Sequence, residues 1–127
     1  MKIDGMNREF IVIGENVHTT RALSRRNSSV TKDEAGADAV RYVDGSGDTL
    51  YLVLPDAIKE TQDFQEGRVK HVKAALQQAM SGNQEAGGLA YIRAIVRQQE
   101  AAGADYLDIN VDEVSLKKQE QIEAMKW

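Results

Sequence analysis

Apolar residues fall along this chain in runs whose spacing shifts from continuous to alternating to helical, and each shift marks an element. FIVIGENVH (10–18) is apolar and rich in β-branched side chains up to Gly14, then turns polar. A short run of this kind predicts a strand buried on both faces, as in parallel sheets. TTRALSRRNSSVTKDEAGAD (19–38) has no sustained period and is expected to be loop with at most one helical turn. AVRYVDGSGDTLYLVLP (39–55) holds two β-rich runs around Gly45, Ser46 and Gly47. Glycine supplies the positive φ of tight reversals, so a hairpin is expected. Pro55, the only proline, ends the second run, and DAIKETQDF should make a helical turn or two with Asp56 as N-cap.

From Gly67 the period changes. Val69, Val72, Leu76 and Met80 recur at spacings of three and four, which predicts one helix face, with Gly82 as its stop. A second helix, capped by Asn83 and ended by Gly103, buries Leu89, Ile92, Ile95 and Val96. YLDINVD (106–112) then alternates. Leu107, Ile109 and Val111 share one side; Asp108, Asn110 and Asp112 share the other. A last helix, capped by Ser115, has Leu116, Ile122 and Met125 as candidate core residues.

A strand, then helices, then another buried strand imply a parallel crossover and hence an α/β fold. Two parallel strands cannot cover their own faces or close a barrel, so further structure is expected beyond them. An antiparallel surface strand would show the same alternation at 106–112. The tight Gly103-Ala104 joint after a long helix favours the α/β reading.

Composition narrows the function classes. At 127 residues the chain is about one domain, and 42% hydrophobic with 28% charged residues is a folding composition rather than a disordered one. A net charge of -4 without a basic run gives no electrostatic reason for a nucleic-acid partner. The absence of cysteine excludes disulfides, thiolate metal sites and thiol nucleophiles, and is compatible with the cytoplasm. Asp4, Arg8, Glu9 and Glu15 interrupt any signal-like apolar stretch, and no run approaches the ~20 apolar residues of a membrane span, so a soluble, unexported chain with no membrane partner is expected.

The candidate chemistry sits where the two strands turn polar. The first ends in Glu15, Asn16 and His18; the second carries Asp108, Asn110 and Asp112. In a βα-barrel such strand ends build the site. IVIGENVHTTR followed by AAGADYLDINVDE resembles the first two strands of the pterin-binding barrel superfamily. That superfamily includes dihydropteroate synthases and the methyltransferases that carry a methyl group from methyltetrahydrofolate to a corrinoid protein. The likeness covers residues 9–21 and about 64–126, with the hairpin as an insertion. It is closer to the methyltransferases, because the Asn-Val-Thr-Pro-Asp-Ser-Phe signature of the synthases is absent. Asn16 stands where the methyltransferases often have Arg, and His18 where they often have Asn.

The resemblance implies an incomplete TIM-type (β/α)8 barrel: the first two βα units with a hairpin inserted at about 39–55. A whole barrel takes ~250 residues. On that reading residues 1–127 are the amino-terminal part of a pterin-binding domain and lack catalysis alone. It implies methyltetrahydrofolate as methyl donor, a corrinoid (cobalamin) on a partner protein, and the rest of the barrel or a second copy as further partners. Glu15, Asn16, His18, Asp108, Asn110 and Asp112 are the implied pterin-binding residues, with no catalytic residue assigned. A pterin edge suits them, since carboxylates accept from adjacent N–H donors while Asn both donates and accepts.

Other readings stand beside this one. A lone histidine after a strand, such as His18, is more often a loop residue with an ordinary hydrogen bond than a proton donor or metal ligand, and His71 is expected on a solvated helix face. Asp108, Asp112 and Glu113 are residue types that Mg²⁺ favours, but their spacing is not diagnostic and no metal is expected. TTRALSRR (19–26) suits a folate tail or phosphate, or simply a solvated charge run. The hairpin reads as lid, packing flap or oligomer contact alike. From another class, the chain reads as a small α+β binding or assembly module without catalysis.

Overall fold

Two strands ninety residues apart in sequence lie side by side. The structure is a computed structural model and describes residues 11–82 and 87–127; Phe10 and the expected cap Asn83 lie outside them. β1 (Ile13–His18) leads into a bridge strand β2 (Leu23–Ser24) and then a meander of β3 (Val30–Lys32), β4 (Asp38–Val43) and β5 (Thr49–Val53). Two short helices, α1 (Asp56–Lys59) and α2 (Gln62–Gln65), precede β6 (Arg68–Val69), α3 (His71–Met80) and α4 (Gly88–Ala101). The described chain closes with β7 (Tyr106–Asn110) and α5 (Lys118–Lys126). This is a mixed α/β architecture in which the described strands form three small sheets and no closed barrel.

β1 pairs with β7 in parallel, as expected from the crossover. The register runs Ile13↔Tyr106 and Gly14↔Leu107, then Val17↔Ile109 and His18↔Asn110, so β1 carries one extra residue in a bulge at 15–16. α4 packs on one face of the pair. The other face is open: Ile13 is 59% and its neighbour Tyr106 64% exposed. β1 is therefore not buried on both faces as its apolar run predicts, because helices cover only the side of Gly14 and Val17.

The stretch 19–38 holds two strands rather than loop. β2 pairs with β6, and β3 pairs with β4, over two and three residues respectively. Segments this short leave no period in sequence. The β2–β6 bridge also takes Val69 out of the expected helix, which starts instead at His71.

The hairpin forms as expected, with β4 and β5 in register from Ala39↔Val53 to Val43↔Thr49. Asp44 closes its turn by accepting from the N–H groups of Ser46 and Asp48 at 2.9 and 3.0 Å. The hairpin packs on the helices. Val40, Leu52 and Leu54 join Val72 and Leu76 of α3 and Tyr91 and Ile92 of α4 in one core cluster. Gln78 of α3, itself buried, donates through Nε2 to the Val53 carbonyl on the outer side of β5.

Helix ends follow local chemistry with small corrections. Pro55 takes the N-cap position of α1, so Asp56 is the first helical residue and pairs with Lys59 at 3.0 Å. Thr61 caps α2 by accepting from Phe64 N. α4 ends at Gly103 (φ 95°), whose N–H and that of Ala104 return to the carbonyls of Glu100 and Gln99. α5 begins after Lys117, and Ser115 merely accepts from Lys117 N at 3.0 Å. Its expected core residues Leu116, Ile122 and Met125 are exposed, and only Ala124 is buried. A helical stripe is buried only where another element meets it, and here the contact falls on Ala124.

His71 also departs from expectation. It opens α3 half-buried, with Nδ1 2.6 Å from Tyr91 Oη, and Tyr91 stacks edge-on against Tyr42 at 4.9 Å. Burial, helped by the charge of Arg21, pushes the imidazole down to about 4. Burial likewise raises Tyr91, so both groups are neutral at pH 7.

Two predictions follow from this packing. The unfolded chain holds His71 near 6.5 and the fold near 4. The stabilisation is complete above pH 6.5 and is lost as pH falls toward 4. Urea unfolding should show roughly 2 kcal/mol less stability at pH 5 than at pH 7, and His71→Gln should flatten that slope; an equal slope in the variant refutes the burial. At Gly88 an added Cβ would stand 2.4 Å from the Ala75 carbonyl, a backbone atom that cannot swing away. Gly88→Ala gains about 1 kcal/mol of helix propensity, but the clash should win and leave a net loss of at least about 1 kcal/mol in thermal denaturation.

Candidate functional site

The parallel register brings the carboxyl ends of β1 and β7 to one rim. Directly paired residues of neighbouring strands point to the same side, so His18 and Asn110 share the face that also carries Asp108. The bulge makes this possible. Ile13 and His18 differ by an odd number of residues, and the extra residue between them returns His18 to the side of Ile13.

His18 Nε2 meets Asp108 Oδ2 at 3.1 Å; the His18 side chain is 19% and that of Asp108 56% exposed. The next layer is held by Thr19, which is fully buried. Its N–H donates to the Asn110 carbonyl at 2.9 Å, its hydroxyl donates to Asn110 Oδ1 at 3.1 Å, and its Oγ1 accepts from Glu113 N at 3.1 Å. Asn110 Oδ1 also accepts from Asp112 N at 3.0 Å, while Nδ2 lies 3.4 Å from Asp112 Oδ2. Lys70, immediately before α3, donates to the Thr20 carbonyl at 3.1 Å and pairs with Glu113 at 3.0 Å, its side chain only 14% exposed.

Of the six residues expected at the site, His18, Asp108, Asn110 and Asp112 meet in this network. Glu15 and Asn16 lie in the bulge and stand outside it; Glu15 contributes its carbonyl, which accepts from Arg21 Nε at 3.1 Å. Asn110 differs from expectation in one respect. Its amide oxygen is fully used within the fold, so it offers a partner only its NH₂. Thr19 and Lys70 were not expected. A Thr directly after a polar strand end, and a Lys at the start of a helix, were the available signals.

Arg25 lies 4.3 Å over the Phe64 ring and donates to its carbonyl, so it braces α2. Asp108 meets His18 and Glu113 meets Lys70, and among the described residues no three His, Asp or Glu side chains are grouped to hold a metal ion. A groove of about 640 Å³ beside Arg25, Arg26 and Gly67 and one of about 450 Å³ between Met80 and Glu120 have no lining residue in the network. The rim is open rather than enclosed. No helix among the described residues is long and apolar enough to cross a membrane. Searched against protein-family models, curated proteins and solved structures, the chain gives no match.

Lys70 ties α3 to both strand ends, and a charged donor on a carbonyl contributes about 1.5–3 kcal/mol. Lys70→Met should lower the unfolding free energy by about 1–2 kcal/mol in urea, and Glu113→Gln by less, because Glu113 is more exposed. Equal, negligible effects would show that the bridge is incidental.

Proposed function

We propose that this chain is the pterin-binding front of a (β/α)8 barrel of the methyltetrahydrofolate:corrinoid methyltransferase kind, with β1 and β7 as its first two strands and the meander inserted between them. The observation that carries the reading is the meeting of His18, Asp108, Asn110 and Asp112 at the carboxyl ends of two parallel strands, where α/β barrels keep their sites. The donor set fits the group. Asp108 and Asp112 would accept from ring N–H and amino groups, and Asn110 would donate to a ring acceptor. Methyltetrahydrofolate bound there would supply the methyl group, and a corrinoid on a partner protein would receive it. The residues of this chain hold and orient the ring; nothing in them is assigned to the transfer itself.

Magnitude sets what the rim alone can do. Hydrogen bonds in so open a place contribute about 1 kcal/mol each, so a few of them reach only about millimolar affinity. Further strand–helix units over the open face at Ile13 and Tyr106 would exclude water and strengthen every one of these bonds. That is why the rest of the barrel belongs to the proposal.

A second reading, a small assembly module, is favoured by the exposed apolar side chains of α5, Ile122 and Met125, and by those of the open strand face, Ile13 and Tyr106. Titration of the ¹⁵N-labelled chain with millimolar methyltetrahydrofolate should shift the signals of His18, Asp108, Asn110 and Asp112, and Asp108→Ala should remove the effect. Shifts confined to the Arg25–Gly67 groove would overturn the pterin reading. Concentration-dependent dimers abolished by Ile122→Asp, without any folate response, would favour assembly.

A further inference from the structure

Around Asn110 and Thr19 the protons are assigned by two donor-only backbone groups. The Asp112 N–H can only donate, so the Asn110 amide atom 3.0 Å from it is the carbonyl Oδ1 and not Nδ2. The Glu113 N–H likewise occupies Thr19 Oγ1 as acceptor, which directs the Thr19 hydroxyl hydrogen to Asn110 Oδ1. Both lone pairs of Oδ1 are then filled, and Nδ2 is the amide's open end. Thr19 is fully buried, so no water competes for its hydroxyl, and its own N–H fixes the Asn110 backbone.

We propose that Thr19 is the positioning residue of the rim: it locks the Asn110 side chain as a hydrogen-bond donor beside the acceptor Asp112. The lock holds whether or not the site takes a pterin.

The lock is measurable. In ligand-free protein the order parameter of the Asn110 NH₂ group should be that of a rigid side chain. It should fall in Thr19→Val, where only the contacts with Asp112 remain, and recover in Thr19→Ser; an unchanged Asn110 signal in the valine variant overturns the lock. If Thr19→Val does not fold, the wild-type hydroxyl proton of Thr19 decides: slow exchange with an NOE to the Glu113 N–H supports the lock, and rapid exchange overturns it.

Discussion

The parallel pairing of β1 with β7 is the constraint from which the rest follows. A two-residue turn cannot join parallel strands, so the chain must travel from one end of the pair back to the other before the second strand begins. Here that return takes residues 19–105 and includes the meander and both long helices. Because both strands point the same way, their polar ends coincide, and the Thr19 N–H closes on the Asn110 carbonyl just past the last paired residues. An antiparallel pair would have sent His18 and Asn110 to opposite ends.

The return path is also the core. Rather than projecting from the strand ends, the meander lies against α3 and α4, and Gly88 lets α4 come close enough for its backbone to meet α3 near Ala75 and Gln78. Burial there outweighs the intrinsic preference of the imidazole for charge: His71 is held neutral beside Tyr91, and Tyr42 covers Tyr91 from the hairpin side. The same tight side of the molecule leaves its opposite side bare. Helices cover the Val17 face of the parallel pair, and the Ile13–Tyr106 face is open.

Much of the candidate site was legible one strand at a time. Alternation assigned Asp108 and Asn110 to a common face of β7, and the polar end of the first strand singled out His18. The bulge was not legible, because an extra residue in one strand is defined only against its partner. It moves Glu15 and Asn16 out of the network and brings His18 in. Thr19 and Lys70 escaped for a related reason: their roles are bonds to residues 91 and 43 positions away, to Asn110 and Glu113. Leu116, Ile122 and Met125 show the converse, a helical stripe with the right spacing but exposed in the fold.

By itself the sequence determined what depends on neighbours within a few residues. The long helices, the Asp44 turn, the Gly103 stop and the alternating faces of β7 all arise from local dihedral preference and hydrophobic period. Tertiary structure alone decided which stripes are covered, which way the Asn110 amide turns, and whether His71 carries charge. Those outcomes are set by groups that meet only after the crossover closes, and no local period encodes a partner ninety residues away.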